Sequence, residues 1–310
     1  MVAMKGAVPH TNPYFLAGFR LLPAGILILL ATVYWKLPQP STWQAWGWIT
    51  LFGLIDGTLF QGFLTNGLLR TKAGLGSVMI DSQPLAVALL SAWLFKESIG
   101  LWGGIGLFLG ILGISCIGIP EELWQTLLDP DQSWEWAKLF AHGEWLMLLA
   151  ALSMAIGTIM IRYVTAEADP VVATGWHMII GALPLFGVSV LTENNSWQQL
   201  TWLDWSALAY ATVFGSALAY GLFFYFASTG NLTSLSALTF LTPIFALIFG
   251  GLFLNETLTL LQFGGVAITL VSILAINQRE ALQRLFSKST EPEVLGESIT
   301  EVNSPENTIH

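Results

Sequence analysis

The sequence predicts an all-α membrane protein: a ten-helix bundle of two inverted five-helix repeats, with the first helix incomplete so that about nine spans are full length. Three observations predict it. The chain of 310 residues is 54% hydrophobic and only 10% charged, with a mean hydropathy of +0.67, far from the balance of a soluble domain. Nine stretches have about 20 apolar residues, the length that crosses the hydrocarbon core: 14–34, 44–66, 73–95, 101–119, 144–163, 170–191, 205–226, 232–254 and 259–277. The third observation is an internal repeat. GSVMIDSQPLAVALLSAWLFKE at 76–97 returns as SALTFLTPIFALIFGGLFLNE at 236–256, with Pro84 falling on Pro243 and Glu97 on Glu256, both 159 residues apart.

The span ends are marked by tryptophan, whose amphipathic ring settles at headgroup depth. Trp35, Trp43, Trp46, Trp48, Trp102, Trp145, Trp202 and Trp205 fall near proposed ends, whereas Trp176 does not. Residues 1–8, MVAMKGAV, are too few to cross, yet they match the last third of the span at 144–163: 157 residues on, Lys5 falls on Arg162, Pro13 on Pro170 and Gly18 on Gly175. The expectation is a first helix that lacks its beginning, a start codon placed too late being favoured over a real truncation, because a stub leaves backbone groups unsatisfied in lipid. With that helix restored each half holds five spans. An odd number forces the second half to enter the membrane in the opposite direction, and inverted repeats are a signature of secondary transporters, whose site lies at the repeat interface near the midplane.

Four regions follow: a first repeat at 1–119, an acidic amphipathic connector at 120–143, a second repeat at 144–277 and an acidic tail at 278–310. Connector and tail carry most of the net charge of −9. Such segments solvate well, so the charge implies no acidic docking surface and no nucleic-acid partner; the tail is expected to be disordered. Lys36, Lys96, Arg162, Arg279, Arg284 and Lys288 on one side outweigh Arg70, Lys72 and Lys138 on the other, which by the positive-inside rule puts both termini in the cytoplasm of a cell (plasma) membrane protein. Cys116 is the only cysteine, so disulfides within the chain and thiolate metal clusters are excluded by count. Residues 1–11 carry no apolar core followed by a small-residue cleavage site, so no cleavable signal peptide is expected.

The pattern around FRLLPAG at 19–25, the SVMIDSQPLAVALLSAWLFKE segment and its second copy ending LFLNE resembles the EamA-type branch of the drug/metabolite transporter superfamily, over residues 1 to about 277. The resemblance implies ten helices in two inverted halves and the transport, usually export, of small metabolites. The incomplete first helix and the long acidic connector depart from it.

The residues themselves give a candidate site. Arg20, Asp56, Asp81 and His177 lie well inside proposed spans, with Lys5 in the stub. A charge near the bilayer centre costs about 2.5–3.5 kcal/mol on insertion scales, so all are expected to face the interior, with Arg20 paired to Asp81 or Asp56. These residues suit a substrate or proton site, or an ion pair that only fixes packing. His177, which falls on Arg20 in the overlay, suits proton coupling or simple hydrogen-bonded packing. Trp176, Tyr220 and Tyr225 are candidates to line a cavity, or ordinary packing aromatics. Pro84 and Pro243 each remove an amide and free the carbonyl four residues earlier, at Ile80 and Thr239. Such breaks survive where protein or a watery cavity satisfies the freed group, so with Gln83 and Thr239 nearby the translocation cavity is expected between these two broken helices, a plain kink being the alternative. Glu97 and Glu256 are expected to bond a neighbouring loop or helix start. The glycine stripe Gly103, Gly106, Gly110 and Gly113 suits close helix packing, within one chain or between the copies of a homodimer. No Walker loop, HExxH motif or nucleophile elbow is present, so no enzyme activity, cofactor or metal is expected.

The reading is therefore a secondary transporter, an exporter of small polar or amphipathic metabolites working by alternating access in the lipid bilayer. The alternative is a membrane scaffold or receptor-like protein acting through connector and tail.

Overall fold

The structure is a computed structural model that describes residues 1–96, 100–118, 143–194, 197–220, 222 and 241–278. All regular structure among them is helical. In chain order the elements are α1 (Val2–Ala7), α2 (Pro13–Tyr34), α3 (Trp43–Phe52), α4 (Phe60–Arg70), α5 (Ala73–Asp81), α6 (Gln83–Phe95), α7 (Gly100–Gly118), α8 (Glu144–Glu167), α9 (Pro170–Thr192), α10 (Trp202–Thr212), α11 (Leu241–Leu254) and α12 (Leu260–Asn277). A π-helical turn, Gly53–Leu59, joins α3 to α4, and a second, Val213–Leu218, continues α10. Seven helical stretches among the described residues are long and apolar enough to cross a membrane, and they match seven of the nine expected spans. The other two, 205–226 and 232–254, run into residues outside the description, as do Glu97, the connector up to 142 and the tail from 279.

Several helices start where their first amides find a side-chain acceptor. Asp169 accepts from the amides of Val171 and Val172 at 2.9 and 3.1 Å, ahead of Pro170 at the first position of α9. Thr201 with Asp204, and Thr259 with Gln262, form reciprocal capping boxes on α10 and α12. Two helices take their caps from a distance instead. The Glu193 carboxylate accepts from the amides of Tyr14 and Phe15 at 2.8 and 3.0 Å, and Glu256 from those of Ala73 and Gly74 at 2.6 and 3.0 Å. The expectation that Glu256 bonds a neighbouring helix start holds. Asn255, left-handed at φ 53°, turns the chain out of α11 so that Glu256 points back, and Lys96 does the same after α6 at φ 54°.

The proline break in the first repeat is real. α5 ends at Asp81, Ser82 sits at φ −76° and ψ −1°, and α6 restarts with Pro84 in its first turn. The Ser82 hydroxyl donates to the Met79 carbonyl, which gives the interrupted backbone a local partner. By contrast α2 and α9 run unbroken through Pro23 and Pro184.

Three close approaches hold the bundle together. α2 lies along α9, where a Cβ on Gly25 would come within 2.8 Å of the Gly175 carbonyl. The first π turn lies on α9 through Gly57, whose Cβ would sit 2.9 Å from the Gly181 Cα. α7 lies along α12, with Gly106, Gly110 and Gly113 against Ile276, Ser272 and Thr269. The glycine stripe is thus spent on packing inside one chain, and it does not supply the contact between copies that the sequence left open. Tryptophans 35, 43 and 202 stand exposed at helix ends, as the headgroup belt requires.

Gly57→Val is expected to lower stability by about 1–3 kcal/mol, because the clash is with backbone, while Gly104→Val, with nothing within 4 Å of its Cβ, stays at the wild-type melting temperature in detergent. At the bundle end that carries residues 8–12 and 193–201, His10 Nδ1 lies 3.0 Å from Asp204 Oδ2. Burial alone would raise the Asp204 carboxyl, but hydrogen bonds from the Thr201 hydroxyl and amide and from His10 outweigh it and hold the group below the usual carboxylate range. A lowered value means that the stabilisation is fully present above about pH 4 and is lost as pH falls through the lowered value. The melting-temperature gap between wild type and Asp204→Asn should therefore be widest near pH 7 and close in acid.

Candidate functional site

Three of the expected polar residues come together in the middle of the bundle. Arg20, Asp56 and His177 are 8%, 7% and 1% exposed, so they face the interior as the cost of charge in hydrocarbon demands. Their partners differ from expectation. Arg20 is paired with neither Asp56 nor Asp81: its Nε donates to Ser216 Oγ at 2.9 Å and its Nη1 to Met4 Sδ at 2.7 Å. Asp56 instead faces His177, with Oδ2 3.5 Å from Nε2.

The physical reason lies in the π turns. A π turn inserts a residue and re-aims the side chains around it. Asp56 and Ser216 sit at matching places in the two turns, 160 residues apart, just as Arg20 and His177 match in α2 and α9 at 157. The pairs are therefore exchanged: α2 reaches the second π turn, and α9 reaches the first. Three glycines admit Asp56 to its place. Gly53 and Gly57 bring the turn onto α9 beside the His177 carbonyl, and a Cβ on Gly157 of α8 would lie 2.6 Å from Asp56 Oδ1. Phe52 covers the imidazole with ring centroids 4.3 Å apart. His177 Nδ1 is buried and has no hydrogen-bond partner among the described residues. Tyr220, one turn beyond Ser216, lies near enough to Asp56 and Arg20 to interact with both charges.

The remaining predicted residues spread outward. Asp81 accepts from Ser77 Oγ at 3.0 Å, one turn before the break at Pro84. Gln83 donates to Thr158 Oγ1 and to the Met154 carbonyl of α8. The α5 helix packs directly on α11, where a Cβ on Gly74 would lie 2.9 Å from Leu247 Cδ2, and Pro243 is buried in the first turn of α11. Trp176 does not line this region. Its indole N–H donates to Gln39 Oε1, from the α2–α3 loop, at 3.0 Å and its half-buried ring meets Trp46 edge-on at 4.9 Å. Tyr225 and Thr239 lie outside the described residues.

Ser216, Met4 and Gly157 were missed by sequence reasoning. The sequence carried no signal for Ser216: the offsets of 157 and 159 read from the repeat set Asp56 on Val213 and Gly215, and only the two π turns bring it level with Ser216.

The sequence profile of the EamA-like transporter family matches residues 1–119 and 141–278. The chain belongs to that family. It is thereby a membrane transporter of the drug/metabolite transporter superfamily, whose substrates are small molecules. Among relatives of this EamA-type transporter, an uncharacterized transporter of Synechocystis sp. is 61% identical over 91% of this chain and 87% of its own length. A chloroplastic WAT1-related protein of Arabidopsis thaliana is 52% identical over 89% of the chain and 66% of its own length. An uncharacterized transporter of Bacillus subtilis is 27% identical over 90% and 87%. One crystal structure shares the fold with a TM-score of 0.62 at 17% identity, covering 91% of this chain and 92% of that one.

Ser216→Ala leaves the Arg20 Nε buried without its acceptor. Since hydrogen bonds to charged groups contribute about 1.5–3 kcal/mol, the variant should lose stability of that order in a denaturation series, while Ser206→Ala, exposed in the first half of α10, should not.

Proposed function

We propose that the protein is a secondary exporter of small polar or amphipathic metabolites, in which two inverted five-helix halves, 1–119 and 144–277, alternate access to a central site. The exchanged pairing Arg20 with Ser216 and His177 with Asp56 carries this reading. When two matching units face each other in opposite senses, a contact from the first to the second has a counterpart from the second to the first. Other contacts follow the same rule. The α1 helix packs on α10 and α11, and α8 packs on α3, α4, α5 and α6. The self-matching contacts α2 with α9, α5 with α11, and α7 with α12 lie on the expected axis between the halves.

In this reading Arg20, Asp56, His177 and Tyr220 form the polar floor of the site, and Asp81, Gln83 and Pro84 its wall on the first broken helix, with Pro243, Thr239 and Tyr225 opposite. A break beside an acid gives the substrate both freed backbone and a charge. Both termini face the cytoplasm of the plasma membrane, and the side carrying Glu193 and Glu256 faces out. Contact between α5 and α11 near Gly74 closes that outer side in this conformation.

The test is efflux from proteoliposomes loaded with a metabolite extract, resolved by mass spectrometry. Saturable loss of particular metabolites is expected from the wild type, and Asp81→Asn should reduce it at least tenfold while eluting as a folded, monodisperse protein. Undiminished efflux from Asp81→Asn would remove Asp81 from the mechanism, and no efflux at all from the wild type would remove the transport reading.

A further inference from the structure

Glu193 and Glu256 are placed alike, each carboxylate accepting two amides at the start of a first-half helix, yet the seams they close differ. α2 runs unbroken along α9 and stays close well beyond its cap, with Gly18 on Phe186 and Gly25 on Gly175. The seam under Glu256 is short. α5 meets α11 at Gly74 and ends at Asp81, and beyond the break α6 turns to other helices. Gln83 donates to Thr158 of α8, and Leu85 and Ala88 pack with Leu107 of α7 and Ile276 of α12. Among the described residues α11 is thus held along its outer part, where it packs on α5 and α1. Its opposite face is exposed and carries the stacked rings of Phe245, Phe249 and Phe253.

We infer that Glu256 is the latch of the outer gate: carried on the second half, its carboxylate holds α11 against the start of α5, and its release from the Ala73 and Gly74 amides opens the central site to the outside. This inference rests on the transport reading above and names the group that controls its outer side. A carboxylate on two amides at a helix start makes charge-assisted bonds and meets the positive end of the helix dipole. It is therefore the strongest single tie across a seam otherwise made of small and apolar contacts. Both bonds lie at the membrane surface, where water can replace them, so release needs no further reagent.

The chain around Glu256 is shaped to deliver the carboxylate. Asn255 turns left-handed at φ 53°, and the Glu256 amide donates back to the Gly250 carbonyl at 3.1 Å. Gly250 leaves the room: a Cβ there would lie 2.6 Å from Glu256 Oε2. Lys72, the residue ahead of α5, donates to the Thr257 carbonyl and ties the same loop. Lys5 of α1, bonded to the Leu68 and Leu69 carbonyls of α4, lies near enough to attract the carboxylate.

Cys116 is the only cysteine, so opening can be read from a single added thiol. In a Cys116→Ala background, Leu247→Cys places it on the α11 face that meets Gly74, and Thr257→Cys on the exposed outer loop. Intact bacterial cells producing the full chain are treated with a membrane-impermeant thiosulfonate, and labelling is followed in time. Thr257→Cys should label rapidly and Leu247→Cys slowly. Adding Glu256→Ala should speed Leu247→Cys labelling about tenfold, the scale of a lost bond to a charged group. Gly250→Ala, which keeps the glutamate but fills its seat, should do the same. Glu193→Ala removes the matching cap from the unbroken seam and should leave the rate within about twofold. Unchanged labelling in Glu256→Ala, or in Gly250→Ala where the first variant is not recovered folded, overturns the inference. An equal acceleration by Glu193→Ala also overturns it, since the cap would then serve helix stability alone. A Thr257→Cys that labels only in inverted vesicles overturns the outward placement of the gate. Metabolite efflux from proteoliposomes separates the two readings. Efflux with unchanged labelling overturns the latch alone, whereas faster labelling in a chain that releases nothing overturns the transport reading.

Discussion

A polar group inside hydrocarbon must be met by another polar group of the same protein, and the rest of this structure follows from that demand. It explains why the regular structure among the described residues is helical, and why the starts of α2, α3, α5, α9, α10 and α12 are closed by an aspartate, a threonine or a borrowed glutamate. It also explains why the buried arginine is held by a serine and a methionine sulfur rather than left to lipid. The same demand sets the cost of function. A transporter has to keep groups in its centre that are available to a substrate, so their protein partners must be weak enough to yield. On the function proposed above, the long Asp56–His177 contact and the thioether on Arg20 are partners of that kind.

Packing supplies the second half of the argument. Lipid tails are as apolar as leucine, so helices in a membrane gain little by hiding leucine from it and associate through close fit instead. Here the fit is made by glycine: Gly25 on α9, Gly57 on Gly181, and Gly106 to Gly113 on α12. Two of these seams join the halves along lines where like meets like. Seams with little side-chain interlock can slide or tilt at modest cost, which suits the alternating access proposed above.

Much of this was legible in the sequence. Spans show as runs of about 20 apolar residues because nothing but a helix satisfies its own backbone there. The Pro84 break was legible because a missing amide has only one consequence. The inward position of Arg20, Asp56 and His177 followed from the cost of exposing them. The partners were not legible in the same way. Arg20, His177, Asp56 and Asp81 admit several pairings, and the one adopted depends on π turns that shift the register of α3 and α10. No local pattern announces a π turn at 53–59, since its residues, GLIDGTL, suit an ordinary helix equally well. The partner of Trp176 was hidden for a related reason: its place within the apolar run said nothing about Gln39, a loop residue 137 positions away.

The glutamate caps bear on how the protein is made. Glu193 closes the start of α2, and Glu256 closes the start of α5. Both helices are synthesised and inserted well before their caps leave the ribosome. During that interval each presents bare amides at the membrane surface, which water must satisfy. The first half thus reaches its finished form only when the second half arrives, and the two are assembled as one unit although they were written as two.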